Sequence, residues 1–125
     1  MAAVNDSPIL LEGARRLPDG LTVRLRLARP ADLSELRALM RRADVGVDDV
    51  ALQRLLLFDP RKRAVICAAA WMGGREALVG VGAIDLAPGA EPDFLWAPDL
   101  FREHVSPLVD AALRNRASAR AGKAA

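Results

Sequence analysis

Cysteine, histidine and tyrosine are nearly absent from this chain of 125 residues, which holds one cysteine (Cys67), one histidine (His104) and no tyrosine. A single cysteine excludes an internal disulfide, and its place inside an apolar run predicts a buried, inert thiol. Structural zinc sites draw several ligands from cysteine and histidine, so we expect no metal. A Ser-His-Asp triad would need His104 as its base, but no serine lies in the G-x-S-x-G elbow that such a site uses.

Long hydrophobic runs are also missing. No apolar run approaches the roughly 20 residues that span a bilayer. The N-terminal apolar run, Ile9–Leu11, is flanked by Asp6 and Glu12, which is not the pattern of a signal peptide. We therefore expect a cytoplasmic protein. Hydrophobic residues make up 52% of the chain and its mean hydropathy is +0.13, which is enough to fill the core of one domain.

Lysine and aromatic residues are scarce as well. Lysine occurs only at Lys62 and Lys123, and aromatic residues make up 4% of the chain. The sequence pI is about 9.3, yet the net charge is only +2. The two basic clusters, Arg61–Arg63 and the tail residues Arg114, Arg116, Arg120 and Lys123, are explained as a solvated loop and a solvated tail. A small nucleic-acid-binding protein is therefore the weakest of the functions that stay open, because it also lacks aromatic residues for base stacking.

The N-terminal third predicts a leader, one strand and two helices. Residues 1–20 have the composition of a flexible leader that ends in a Pro-Asp-Gly turn. Residues 21–27 alternate between apolar and polar side chains, which predicts a half-exposed strand with Arg24 and Arg26 on its outer face. Asp32 and Glu35 have the spacing of a capping box at the start of the first helix. Asp48 or Asp49 caps a second helix.

The centre of the chain predicts a hairpin of buried strands. Residues 64–72 and 77–86 are apolar on both faces, as strands covered on both sides are. Gly73-Gly74 between them predicts a tight reversal and an antiparallel pair. Gly80 and Gly82 fall on one face of the second strand, where a missing side chain permits the close approach of a helix or of a ligand. Of these two, we favour helix packing.

A third strand and a last helix follow. Residues 91–97 predict a short strand with Phe94 and Trp96 on one face. The last helix carries an apolar stripe from Val105 to Leu113, and it begins well at Ser106-Pro107, since proline is tolerated in the first turn. A start right after Pro98 would leave Pro107 inside the helix, at a cost of about 3 kcal/mol, so we expect a late start or a kink.

The element order β-α-α-β-β-β-α predicts an α+β fold, with a mainly antiparallel sheet of about four strands and helices packed on it. We assign residues 1–20 to a flexible leader, 21–117 to a single domain and 118–125 to a disordered basic tail.

This order, together with three segments, resembles the N-terminal part of the GNAT acyl-CoA N-acyltransferases. Val23–Asp32 is similar to that family's first strand and its entry into the first helix. Leu78–Asp85 is similar to its third strand, and Phe94–Pro98 lies where its fourth strand holds the cofactor. The resemblance covers residues 21–113 and implies acetyl-CoA or another acyl-CoA as cofactor.

The resemblance also implies which residues would hold that cofactor. The fourth strand offers its backbone to the pantetheine arm, and a Q/R-x-x-G-x-G/A loop then wraps the diphosphate with bare N–H groups. In this chain the aligned loop is Phe101–Ser106, without glycine. The implied cofactor-binding residues are those of the strand and of the loop: Phe94, Leu95, Trp96, Arg102, His104, Val105 and Ser106. Bulky side chains and Glu103 in this loop predict weak or lost acyl-CoA binding.

The sequence offers few candidates for catalytic acid–base residues. The carboxylates and imidazole near the implied cleft are Asp85, Asp93, Glu103 and His104, and each is also explained as a strand-end or helix-start residue. The general acid that the family often takes from tyrosine cannot be present. Catalytic residues are therefore not assigned. If the chain is active, the resemblance implies transfer of an acyl group from acyl-CoA to an amine.

A non-catalytic role is the alternative. The family continues with further strands after the position of Leu113, and without them one sheet edge would be bare. A bare edge invites pairing with another chain. We therefore expect a homodimer or a partner protein bound through that edge or through the last helix, as a dimerisation module or as one half of a split acyltransferase.

Overall fold

The computed structural model describes residues 14–18, 20–43, 45–46 and 48–124, with side chains described up to residue 119. Residues 1–13 of the predicted leader and residue 125 of the predicted tail lie outside these ranges. The elements run in the order β1 (Arg15–Arg16), β2 (Thr22–Leu27), a 3-10 turn (Pro30–Asp32), α1 (Leu33–Arg42), α2 (Asp49–Leu56), β3 (Arg63–Met72), β4 (Arg75–Asp85), β5 (Phe94–Trp96) and α3 (Asp99–Ala124).

The described strands form one sheet of five, in the spatial order β1-β2-β3-β4-β5, and every neighbouring pair is antiparallel. The α+β class predicted from the sequence is confirmed. The additional strand is β1, in which Arg15 lies opposite Val23 within the segment predicted to be a leader. Its two residues are too few to show an alternating pattern in the sequence.

The β3–β4 hairpin forms as predicted. Met72 lies opposite Arg75, so the loop is the two residues Gly73 and Gly74, with φ of +60° and +79°. Both values lie in the left-handed region that a type I′ turn requires and that glycine adopts without strain. The next strand along the chain, β5, is shorter than predicted and spans only Phe94–Trp96.

The sheet carries helices on both faces. Helix α3 packs on one face, where Val105, Val109 and Leu113 join apolar residues of β2, β3 and β4 in one buried cluster. Helices α1 and α2 cover the other face through a second cluster that includes Leu36 and Leu52. Cys67 belongs to this second cluster and is fully buried, as predicted. Among the described helices, none is both long and apolar enough to cross a membrane.

Two glycines of β4 set the distance between α3 and the sheet. A Cβ atom at Gly80 would lie 2.7 Å from Val105 Cγ1, and one at Gly82 would lie 2.8 Å from both Val109 Cγ1 and Leu113 Cδ1. Real Cβ atoms essentially never come this close, so α3 can pack here only because both side chains are missing. The helix-packing interpretation of these glycines is confirmed.

Helix α3 begins at Asp99, not at the predicted Ser106, and Pro107 lies inside it. Proline leaves the carbonyl of the residue four positions earlier, Glu103, without its helical donor. Both Glu103 and Pro107 are exposed, so water can hydrate that carbonyl. Burial of the apolar stripe on the opposite side of the helix outweighs the local penalty. The backbone of α3 stays helical through Ala124, beyond the residue at which the sequence predicts fraying.

The first-helix capping box and the exposed position of Arg26 were wrong predictions. Arg26 is buried and forms two hydrogen bonds with Asp32, from Nη1 to Oδ2 at 2.9 Å and from Nη2 to Oδ1 at 2.8 Å. Asp32 also accepts the Arg29 N–H at 2.9 Å, and Glu35 accepts the Leu78 N–H at 2.8 Å. Neither carboxylate therefore caps α1: Asp32 serves the buried ion pair and the N–H at the start of the preceding 3-10 turn, and Glu35 serves a contact with β4. In α2, by contrast, Asp48 accepts the Val50 N–H as a cap.

The charge of Arg26 is secured by its partner. Burial by itself would lower the pKa of Arg26, but the hydrogen bonds and charge of Asp32 outweigh burial and raise the pKa above its ordinary value. Glu76 adds a contact at 3.2 Å. A second arginine, Arg63, holds the start of β5: its Nη1 and Nη2 each lie 2.7 Å from an Asp93 carboxylate oxygen. These hydrogen bonds lower the pKa of Asp93.

Filling the space at Gly82 tests the packing of α3. Gly82→Val should lower the free energy of unfolding by about 1–3 kcal/mol, the usual cost of overpacking a core. Urea denaturation measures this change. The control is Gly46→Val, because nothing lies within 4 Å of a Cβ at Gly46 and its φ is not positive. Equal effects of the two substitutions would contradict the close helix–strand contact.

Removing Asp32 tests the buried ion pair. Asp32→Ala leaves the guanidinium of Arg26 buried with only the single ion-pair contact to Glu76 and should lower the free energy of unfolding by about 3–5 kcal/mol. The matched control is Asp49→Ala, because Asp49 pairs with Arg37 at 3.0 Å but is 56% exposed. That change should cost about 1 kcal/mol or less. The interpretation fails if chemical denaturation gives the same loss for both variants.

Candidate functional site

The strand predicted to hold a cofactor is the last strand of the described sheet. Phe94 and Trp96 are half-buried and pack against the cluster under α1 and α2. Leu95 points to the opposite face, where its Cδ1 would lie 3.1 Å from a Cβ at Gly82, and it is 41% exposed. β5 pairs with β4 only from Val81 to Ala83. Its other edge faces no strand of the described chain.

The first turn of α3 is occupied by the chain's own charges. The helix begins at Asp99 immediately after Pro98, and the Phe101 N–H donates to the Pro98 carbonyl at 2.8 Å. Asp99 is paired with Arg102 at 2.7 Å, and its side chain is 90% exposed. A carboxylate in the first turn is favourable for the helix, because it faces the positive end of the helix dipole. It also places negative charge where an anionic ligand would bind.

The residues implied for the diphosphate loop lie inside the helix. Arg102 is in the ion pair with Asp99, and Val105 is fully buried against β4. His104 and Ser106 are half-buried. The side chain of Val105 is therefore part of the core, whereas His104 and Ser106 occupy the two positions at which the family's loop has glycine. Contact between a cofactor and the remaining residues stays a prediction. Taken together, the first turn of α3 does not fit a diphosphate.

Among the candidate acid–base groups, two carboxylates are held in ion pairs and one is exposed on α3. Asp85 and Asp93 both contact Arg63, at 2.8 Å and 2.7 Å, and so join the ends of β3, β4 and β5. Glu103 is exposed on α3. Burial raises the pKa of Cys67 to about 12, which leaves its thiol protonated and unreactive at neutral pH. Within the described residues, no three side chains of the metal-binding types lie together.

A second feature was not predicted from the sequence. An open groove of about 580 Å³ runs between α1 and the start of β4. Arg29, Arg42 and Arg75 contribute to its walls, and Asp32 and Glu35 line it between them. The sequence pattern predicts Asp32 and Glu35 as helix caps. Glu35 accepts a hydrogen bond from Leu78, which is distant along the chain, and Asp32 binds the side chain of Arg26 on β2, so no local pattern signals the groove.

A second, smaller groove of about 350 Å³ lies on the sheet face near the hairpin. Arg24, Trp71 and Glu76 line it, and Trp71 is 68% exposed. Glu76 already contacts Arg26. A cation and an anion face this groove together, so its charge favours neither kind of ligand.

Comparison with known proteins identifies the fold. No protein-family model matches the chain, and no curated protein matches its sequence. Among solved structures, the GNAT domain of S. lividans PAT is similar with a TM-score of 0.64 and 18% identity, covering 86% of this chain and 74% of that one. Ribosomal-protein-alanine N-acetyltransferase from Brucella melitensis biovar Abortus 2308 is similar with a TM-score of 0.57 and 19% identity, covering 78% and 73%. The chain therefore has the fold of the GNAT acyltransferases.

Proposed function

We propose that this protein is a GNAT-fold binding module in which acyl-CoA binding is weak or lost. The observation that carries the proposal is the Asp99–Arg102 ion pair in the first turn of α3. Phosphate-binding helix starts offer bare N–H groups to the ligand. In this protein, a carboxylate lies at the helix start and the nearest arginine is already engaged with it.

Electrostatics give the size of the effect. Two unit charges 4 Å apart interact by about 1 kcal/mol in water-like surroundings, so a multiply charged diphosphate next to Asp99 loses about that amount for each charge. Arg102 offsets the loss only if it leaves Asp99. The N–H of Phe101 is also spent within the turn. These costs weaken the binding of the diphosphate, which is the ligand group that backbone N–H groups would otherwise bind most strongly.

Acyl transfer has no well-placed base to support it. Asp85 and Asp93 are both held by Arg63, and release of Asp93 would remove the ion pair that fixes the start of β5. Glu103 and His104 lie on α3, whose apolar side is buried against the sheet. An acyltransferase, alone or as one half of a split protein, is therefore the second candidate. Binding of acyl-CoA with a large stabilisation would favour it.

Acetyl-CoA binding tests the proposal. A ligand present at a hundredfold its dissociation constant stabilises the folded state by about 2.7 kcal/mol, which is roughly 10 °C in Tm for a domain of this size. We expect 1 mM acetyl-CoA to raise the Tm by less than about 1 °C. A rise of several degrees in the unmodified protein would contradict weak binding.

Two variants locate the cause. Asp99→Asn removes the carboxylate from the helix start and should increase the response of Tm to acetyl-CoA. Asp110→Asn is the matched control, because Asp110 also pairs with an arginine of α3, Arg114 at 3.1 Å, but lies beyond the first turn. An equal response in the two variants would remove Asp99 as the explanation, and we would then attribute weak binding to the missing glycines.

The proposed partner is a second copy of the chain, bound through the β5 edge. The last helix has less apolar surface available to a partner, because its apolar stripe of Val105, Val109 and Leu113 is already buried against the sheet. Leu95 and Leu100, near the free edge, are 41% and 81% exposed. Exposed apolar residues beside an unpaired edge support strand pairing between chains.

Light scattering at tens of micromolar protein should therefore give the mass of a dimer. Leu95→Lys places a charge beside the edge and should shift the equilibrium to the monomer. The control is Leu57→Lys, since Leu57 is 71% exposed just after α2 and away from β5. A monomer in the unmodified protein, or a dimer that both variants leave intact, would contradict pairing through β5.

A further inference from the structure

The smaller groove, on the sheet face near the β3–β4 hairpin, is lined by two opposite charges that do not pair with each other. Arg24 on β2 forms no hydrogen bond or ion pair with any described residue. Glu76 on β4 contacts Arg26 at 3.2 Å through Oε1, and its Oε2 has no partner in the described part of the chain. A guanidinium group and a carboxylate oxygen thus remain free to bind a ligand at this groove.

The space between these two charges is open because the residue beneath it is small. In the register of the sheet, Arg24 lies opposite Ala69, and Glu76 lies opposite Trp71. Strand β3 therefore runs between the two charged residues, and Ala69 and Trp71 share one of its faces. Ala69 is buried and has no side chain beyond Cβ. The groove has a volume of about 350 Å³, which lies in the range of small-ligand pockets.

An exposed indole completes the lining of this groove. Trp71 is 68% exposed, although residues 64–70 of the same strand are all buried. The indole is large and mostly apolar, and another aromatic ring stacks favourably against it. Trp71 therefore offers an apolar surface to a ring, beside the two charged groups.

We infer that this groove binds a zwitterionic amino acid with an aromatic side chain. The ligand carboxylate accepts hydrogen bonds from the Arg24 guanidinium, which matches it in geometry. The ligand ammonium group donates to Glu76 Oε2, and the ligand ring stacks on Trp71. A simple anion or cation would meet one opposite and one like charge, whereas a zwitterion satisfies both. The site lies on β2, β3 and β4, so it depends neither on acyl-CoA binding at α3 nor on pairing through β5.

A set of related ligands tests the three contacts, with phenylalanine as the probe. N-acetylphenylalanine lacks the ammonium group, phenylalaninamide lacks the carboxylate, and alanine lacks the ring. Phenylalanine should bind with a dissociation constant on the order of 1–5 mM, as expected for a ligand of its size. Each of the other three should bind about fivefold more weakly or worse, because each loses one contact.

The side-chain signals of tryptophan give a direct NMR readout of the site. The chain has two tryptophans, Trp71 and Trp96, so an isotopically labelled sample gives two indole N–H signals. Trp71→Phe removes one signal and thereby assigns both. Titration with phenylalanine should shift the Trp71 signal and leave that of Trp96, on β5, in place. The inference fails if the Trp71 signal stays unchanged at several times the expected dissociation constant. It also fails if phenylalanine, N-acetylphenylalanine and phenylalaninamide bind equally.

Charge-removing variants assign each polar contact to one residue. Arg24→Gln should weaken phenylalanine binding about fivefold and change phenylalaninamide binding less than twofold. Glu76→Gln should likewise weaken phenylalanine binding about fivefold and change N-acetylphenylalanine binding less than twofold. The control is Arg54→Gln, because Arg54 is exposed on α2 and also has no partner among the described residues. Equal losses in Arg24→Gln and Arg54→Gln would show general charge attraction and overturn the inference.

The ring contact has its own matched pair of variants. Met72 follows Trp71 on β3, is 37% exposed and lies on the opposite face of the strand. Trp71→Ala should weaken phenylalanine binding about fivefold or more, whereas Met72→Ala should change it less than twofold. The amide signals of β2 and β4 at the groove report binding in both variants. Unchanged affinity in Trp71→Ala would contradict stacking on the indole.

Acetyl-CoA, titrated in the same way, separates this inference from the proposed function. Shifts confined to β5 and α3 would contradict weak acyl-CoA binding and leave the groove to be decided by phenylalanine. A phenylalanine titration without effect at Trp71 would overturn the inference on the groove and leave the proposal for α3 as it stands.

Discussion

The contact between α3 and the glycine positions of β4 is the constraint on which the rest of the structure depends. Val105, Val109 and Leu113 reach the sheet because Gly80 and Gly82 have no side chains. The contact buries the apolar stripe of α3 completely and fixes the rotation of the helix about its axis. Once this rotation is fixed, the position of every other residue of α3 follows, including those of its first turn. A core requirement therefore decides what the helix start can offer to a ligand.

That requirement is the physical basis of the proposed weak binding of a diphosphate. A phosphate ligand at a helix start binds exposed N–H groups of the loop before the helix. In this protein, α3 begins directly after Pro98, and the side chain of Val105 is buried in the core. Asp99 then stabilises the exposed helix start through the helix dipole, and Arg102 stabilises Asp99. The Asp99 carboxylate and its pairing with Arg102 stabilise the helix start and disfavour an anionic ligand there. The chain thus has the GNAT fold, and the proposed weak binding of acyl-CoA follows from the way its helix start is stabilised.

The sequence predicted those elements whose cause is local. The β3–β4 hairpin follows from Gly73-Gly74 and two apolar runs, and the helix contact follows from Gly80 and Gly82 on one strand face. Features that depend on distant residues were missed. Arg26 alternates with apolar residues as an exposed residue would, and only the tertiary position of Asp32 makes its burial favourable. The start of α3 was wrong because the burial of a long apolar stripe outweighed the local cost of Pro107. The groove beside α1 was missed for the same reason as Arg26, since Glu35 finds its partner on β4.

Arginine serves three separate purposes on this small fold, and burial distinguishes them. Arg26, with 3% of its side chain exposed, joins β2 to the start of α1 through Asp32. Arg63, at 27%, joins β3 to β4 and β5 at the sheet surface. Arg75, at 74%, retains only a loose partner. As exposure rises, an ion pair contributes less to stability, because water screens the charges and competes for the hydrogen bonds. The most exposed arginines thus lose little when a carboxylate partner is exchanged for a ligand. Of these three residues, Arg26 therefore contributes most to stability and Arg75 least.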